Sequence, residues 1–412
     1  MRLKCYPSVE EIPSEVDLAV ITLPAKQAVV ALEQSVRKKV HFVIIVAGGF
    51  SETGDEGKNL EQMIRDLIRG TETRVIGPNT VGVLFPYTGL NTALTPNDRL
   101  FFPGRGEVGF LSQSGALGLL VMDSITEYGM GISGFINIGN RADLGEIDAL
   151  ELFEVDQNTK SVVMYLESIS DGESFFKSLK RVNRKKPVVV LKTGRSREST
   201  RAAASHTGAM ASNDRVFGGV LKQVGVTRAF DETELLDFGR VLAYQKPPAG
   251  KRVAVITTAG GVGVLTTDLL TSTDAHGRCE MANFSEEEEA EMRKFVLPFA
   301  SVANPIDLTA DGSTEAYGSI LDILVRSPYV DAIIAYALPQ TPKINLDIVS
   351  PLTVAARSKP VVAGAIGNRL SKDILRELEV ARIPAYPSVS RTVAAMKVLC
   401  EYGEYMRRHG NE

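Results

Sequence analysis

The sequence has no tryptophan, three cysteines and four histidines in 412 residues. Cys5, Cys279 and Cys400 are far apart and lack metal-ligand spacing, which excludes a disulfide framework or a zinc-type cluster and fits reduced thiols. No apolar run approaches the roughly 20 residues that cross a bilayer, and the amino terminus lacks a signal-peptide pattern. A cytoplasmic protein without membrane contact is expected. A net charge of −4 without a basic tail argues against general nucleic-acid binding. No glycine-rich turn ends in Gly-Lys-Ser/Thr, so a Walker phosphate loop is absent.

What remains is 44% hydrophobic and 23% charged, an ordinary globular composition in a sequence long enough for two or three cores. Val/Ile-rich strands alternate with helical patterns throughout, which implies an α/β protein with mostly parallel sheets. The first region, residues 1–100, reads as the second half of a Rossmann-like unit. Its strands are Asp17–Leu23 and Phe42–Val46, and its strand-end loops are Ala47–Gly54 and Gly77–Gly82. Such units open with a strand and a glycine-rich phosphate turn, whereas this chain starts at Met1–Ser8, already in a later connection. Either the start is misplaced or the domain is incomplete as encoded. A turn-rich connector, Thr95–Gly106, leads to a second domain over 101–246, and the linker Gln245–Gly250 leads to a third over 247–412. The third repeats the strand, glycine turn and helix plan of the second, with the turn at Thr258–Gly263 and its helix from about Val264. Both are expected to be flavodoxin-like.

Several stretches carry chemistry. Strand Pro187–Leu191 runs into a small, polar, basic loop, Lys192–Ala211, which delivers His206 flanked by Ser205, Thr207 and Gly208 shortly before a helix from about Asn213. Unpaired N–H groups and the positive dipole end favour an anion near a helix start, so an imidazole placed there can carry a phosphoryl group; a satisfied loop histidine would read the same way. The turn Ser112-Gln113-Ser114-Gly115 follows strand Glu107–Leu111 and offers hydroxyls and N–H groups at another helix start, a design for phosphate and equally for an ordinary capped helix. Asn140 and Asp143 follow strand Ile132–Ile136; they can orient a substrate or simply serve a turn. Glu167 ends strand Ser161–Leu166. A carboxylate accepting the proton of one ring nitrogen leaves the other nucleophilic, which makes Glu167 the best partner for His206, although a solvated strand-end acid is the alternative.

The run Ser205–Ala209 after Lys192–Gly194 resembles the phosphohistidine loop of the NDP-forming acyl-CoA synthetases, in particular α subunits of the ADP-forming acetyl-CoA synthetase type, relatives of succinyl-CoA synthetase. The likeness runs along nearly the whole sequence. It implies a CoA-binding Rossmann-like domain lacking its first part, followed by two succinyl-CoA synthetase-like domains. Leu23, Pro24 and Ala25, Gly49 and Phe50, and Pro78 and Asn79 match parts of the family's CoA pocket, and Ser112–Gly115 matches the helix facing the phosphohistidine. Pro298–Thr309 also matches, with Asn304 and Asp307 left as structural. The implied reaction is reversible conversion of acyl-CoA, phosphate and ADP to acid, CoA and ATP, with His206 and Glu167 catalytic and acetate the leading acyl group. Because the sequence ends at Glu412 without an ATP-grasp stretch, ADP and Mg²⁺ are expected on a separate ATP-grasp β subunit, in a hetero-oligomer. The competing expectation is a non-catalytic CoA- or metabolite-sensing protein of the same fold.

Overall fold

The computed structural model describes residues 4–95, 101–196, 198–199, 213–367 and 369–409. The chain divides into two compact units, Met1–Leu235 and Leu236–Glu412.

In the first unit, β1 (Leu18–Ile21), β2 (Phe42–Ile45) and β3 (Arg74–Ile76) form a parallel sheet in the order β1-β2-β3. Helix α1 (Ala25–Arg37) buries Ala28, Val29, Leu32 and Ser35, a single stripe at helical spacing. Helix α2 (Asp55–Ile68) buries Glu61 and Ile64 in the same way. These stripes and the sheet share a core that includes Leu32, Val43, Ile45, Phe50 and Ile64.

A second sheet of seven strands is ordered β10-β9-β8-β6-β7-β4-β5. Its strands are β4 (Val83–Phe85), β5 (Leu90–Asn91), β6 (Arg105–Ser112), β7 (Ile132–Asn137), β8 (Ser161–Leu166), β9 (Val188–Lys192) and β10 (Thr227–Ala229). Every residue of β7, β8 and β9 is buried, which is why these strands read as continuous apolar runs rather than alternating ones. Strands β4 and β5 pair antiparallel. They precede the turn-rich connector, yet Val83 and Leu84 register against Ile136 and Phe135 of β7, so tertiary pairing carries them into this sheet. Helices α3 (Gly115–Glu127), α4 (Glu146–Val155) and α5 (Gly172–Asn183) alternate with the strands.

The second unit repeats the plan. Strands β11 (Arg252–Thr257), β12 (Glu280–Met281), β13 (Ile306–Asp307), β14 (Ala332–Tyr336), β15 (Val361–Gly364) and β16 (Ala385–Tyr386) lie in the order β12-β11-β14-β15-β16, with β13 paired to β11. All of these pairings are parallel. The helix after β11 spans Gly260–Thr271, so the glycines expected to form a turn make up its first coil. Asn304 donates to Val253 O and Ala282 O and accepts from Val255 N (2.8, 2.9 and 2.9 Å), a structural pin within this sheet.

Candidate active site

Loops beyond the carboxyl ends of parallel strands are where such sheets bind ligands, and the expected CoA residues lie on three of them. Leu23 is exposed and Pro24 caps α1. The loops after β1 and β2 abut: a Cβ on Gly49, whose φ is +100°, would stand 3.3 Å from Ala25 Cβ. The loops after β2 and β3 also abut, a Cβ on Gly48 falling 3.4 Å from Asn79 Oδ1. Asn79 is exposed at φ +59° and donates its N–H to Ala47 O. Phe50 and Pro78 are buried; the Phe50 ring belongs to the core and only its backbone reaches this edge.

Glu52, which the sequence reading did not single out, organises the edge. Its Oε1 accepts from the N–H groups of Gly49 and Phe50 (2.6 and 3.2 Å), and its Oε2 accepts from Asn140 Nδ2 (2.6 Å). Burial pushes the Glu52 carboxyl up, and these bonds outweigh it, holding the group below the ordinary glutamate value. Asn140 also accepts from Asn79 Nδ2 (3.3 Å). Asp143 takes a two-pronged bond from Arg74 (2.9 and 3.0 Å) and the N–H of Val75 (2.8 Å). Asn140 and Asp143 thus tie the loop after β7 to Glu52, to Asn79 and to β3 of the first sheet.

A second cluster gathers at the ends of β6, β8 and β9. Ser114 is the N-cap of α3 and accepts from Leu117 N (3.4 Å), while Ser112 Oγ donates to Ser114 O (2.6 Å). A side chain at Gly115 would meet Val81 Cγ1 at 2.8 Å, so a larger residue at this first helical position has to displace Val81. Gln113 is nearly buried. Its N–H donates to Tyr165 O (3.0 Å), and its side-chain oxygen accepts from Glu167 N and Ser168 N (2.9 and 3.1 Å). Glu167 follows β8 directly and is half-buried. Two residues earlier, on the same strand face, the Tyr165 hydroxyl lies 3.2 Å from Thr193 Oγ1. Burial pushes the Tyr165 phenol up, and the neighbouring Glu167 carboxylate adds to the shift.

His206, Thr207 and Gly208 lie outside the described residues; both flanks of their loop are described. At one end, Thr193 N donates to Leu166 O (3.1 Å), beside Glu167. At the other, Asn213 caps the helix Asp214–Gln223 through bonds to Arg215 N and Val216 N. Lys192, at the end of β9, is almost wholly buried, and its ammonium donates to Thr193 O (2.9 Å) and lies 5.7 Å from the centre of the Phe217 ring. Burial lowers its pKa; nearby Asp214 opposes that shift and Arg228 reinforces it. The period of two along β8 could have flagged Tyr165; nothing local marks Glu52. Among the described residues no group of acids, histidines and cysteines could hold a metal ion, and no helix is long and apolar enough to cross a membrane.

Comparison with known proteins gives three matching domain families: a CoA binding domain over residues 1–86, a succinyl-CoA ligase like flavodoxin domain over 105–242 and a ligase-CoA domain over 253–407. The α subunit of acetate–CoA ligase [ADP-forming] I from Pyrococcus furiosus is 35% identical, a match covering 99% of the present sequence and 87% of that relative. The acetate–CoA ligase [ADP-forming] I from Archaeoglobus fulgidus is 34% identical, a match covering 97% of the present sequence and 56% of that relative. Among solved structures, acetyl-coenzyme A synthetase 1 of Ca. Korarchaeum cryptofilum, in complex with phosphate and ADP, superposes with a TM-score of 0.89 at 34% identity, covering 98% of the present sequence and 87% of its own.

Proposed function

From a chain that belongs to the α subunits of ADP-forming acetyl-CoA synthetase, we infer a reaction cycle in which one histidine carries phosphate between two subunits. The carrying observation is the joint placement of three parts of the first unit. Glu167 stands at the end of β8, the anion turn Ser112–Gly115 is fixed beside it through Gln113, and the loop bearing His206 leaves β9 at Thr193, within hydrogen-bond reach of Tyr165.

In the first step phosphate displaces CoA from acyl-CoA, giving acyl phosphate and the free thiol. The loops after β1, β2 and β3 hold the CoA, and exposed Leu23, Pro24 and Asn79 form their ligand side. The N–H groups of Ser114, Gly115 and Ala116 have no acceptor among the described residues. They face the anion as unpaired helix-start donors do. His206 then attacks the phosphorus of acyl phosphate, the carboxylate leaves, and Glu167 takes the hydrogen bond from the other ring nitrogen. The phosphoryl group passes to ADP, with Mg²⁺, on an ATP-grasp β subunit. The Archaeoglobus relative, just over half of which is matched here, supports a further domain outside the present sequence. Acetate is the substrate by analogy with the named relatives. Three unpaired cysteines fit a reducing, cytoplasmic setting.

The test is to incubate the protein with [³²P]acetyl phosphate and look for acid-labile, base-stable label. His206→Ala is expected to abolish the label, and Glu167→Gln to slow its appearance about a hundredfold or more. Absence of label in the wild type, or its persistence in His206→Ala, removes the reading.

A further inference from the structure

Gln113 sits in the anion turn, where a phosphate contact would be its obvious role, yet its bonds run the other way. Its N–H goes to Tyr165 O, its carbonyl oxygen takes two successive backbone N–H groups at Glu167 and Ser168, and its amide nitrogen donates to Ser168 Oγ (3.1 Å). Ser168 is gripped from its far side as well. Arg141, from the loop after β7, donates to Ser168 O (3.1 Å) and to its hydroxyl (2.7 Å). Arg141 also bonds to fully buried Glu146 (3.0 Å), whose other oxygen takes the N–H and hydroxyl of Ser170 (3.0 Å each). The peptide that aims Glu167 is therefore held by side chains from three different elements.

We propose that Gln113 is a positioning residue: it fixes the distance between the phosphate-binding turn and Glu167, and does not itself bind phosphate. Being part of the turn through its backbone and clamped to Glu167 through its amide, it makes the two move as one body. Both amide-oxygen lone pairs are engaged, and among the described residues one side-chain N–H is left over. A displacement of about 1 Å between reacting groups costs on the order of a hundredfold in rate, so the strut acts on kcat and leaves phosphate affinity alone.

This inference rests on the phosphohistidine reading above, and the experiment separates the two. Single-turnover labelling with [³²P]acetyl phosphate gives a limiting rate and a half-saturating concentration. Gln113→Met removes the acceptor at near-constant size; the limiting rate is expected to fall about ten- to a hundredfold with half-saturation essentially unchanged. Gln113→Glu keeps an acceptor for both N–H groups, and Ser168 Oγ can turn to donate to it, so this variant recovers most of the rate. Ser168→Ala, which leaves the two N–H bonds in place, provides a milder loss of the same kind should Gln113→Met fail to fold. A raised half-saturation at an unchanged rate in Gln113→Met would make Gln113 a phosphate ligand, and a wild-type rate in Ser168→Ala, where only that variant folds, would remove the strut; either overturns the proposal. If Gln113→Met is as fast as wild type while Glu167→Gln is not, the strut alone fails. If Glu167→Gln is itself as fast as wild type, the underlying reading fails with it.

Discussion

Asp143 illustrates how a residue's chemistry is set by what it touches. Its carboxylate is engaged by the Arg74 guanidinium and the Val75 N–H. Arg74 is nearly half exposed, so the ion pair contributes little after solvent screening, and the bond to the backbone of β3 dominates. Asp143→Ala is expected to lower stability by about 1–2 kcal/mol in a urea titration and to leave the KM for acetyl-CoA unchanged. A raised KM at unchanged stability would return Asp143 to the substrate site. Asn and Asp after a strand are favoured by turn chemistry and by substrate contact alike, and only the partner 69 positions away in the sequence separates the two. Gln113 is the same case, since a glutamine in a Ser-Gln-Ser-Gly turn says nothing of which way its amide points. His206 is a different case: it lies outside the described residues, and its assignment rests on the resemblance of Ser205–Ala209 to the family's phosphohistidine loop.

At the scale of elements, strands buried on both faces were the easiest to read, because their apolar runs are continuous and bounded by turns. β8 matches its expected span, Ser161–Leu166. The helix after β6 was also placed within a residue, its start marked by the Ser114 cap. The helix at Gly260 was read too late, because three glycines in its first turn resemble a loop until packing decides. What locks these elements together is less visible still. Glu146 opens α4, fully buried, and bonds Arg141 and the Ser170 segment. Burial pushes its carboxyl up, but the Arg141 charge and the Ser170 N–H outweigh it, leaving it below the ordinary value of 4.5. A group depressed in the folded state stabilises above its unfolded pKa and loses that contribution as pH falls through the folded one. Glu146→Gln is therefore expected to cost about 3 kcal/mol near neutrality, and the gap from wild type to narrow as pH falls below 4.5. Denaturant titrations at pH 7 and pH 3.5 check this; a gap that stays constant or widens would show that the ionised form is not the stabilising one.

For the whole molecule, the question is how much of the overall reaction one polypeptide can perform. In the proposed cycle the acyl and phosphoryl steps fall to the first unit, through the loops after β1, β2 and β3, the turn Ser112–Gly115, Glu167 and the loop that leaves β9 at Thr193. Transfer to ADP calls for metal-holding carboxylates and basic clamps around a nucleotide, which the proposed cycle assigns to an ATP-grasp subunit. The polypeptide by itself is thus expected to become labelled from acetyl phosphate, and to release labelled phosphate only slowly, while forming no ATP when ADP and Mg²⁺ are added. Addition of an ATP-grasp subunit should discharge the label into ATP within a few turnovers, and His206→Ala should stop both events together. ATP formed at an undiminished rate without the second subunit would place a nucleotide site on this polypeptide and displace the two-subunit account, leaving the acyl-phosphate half-reaction standing because it draws on separate residues.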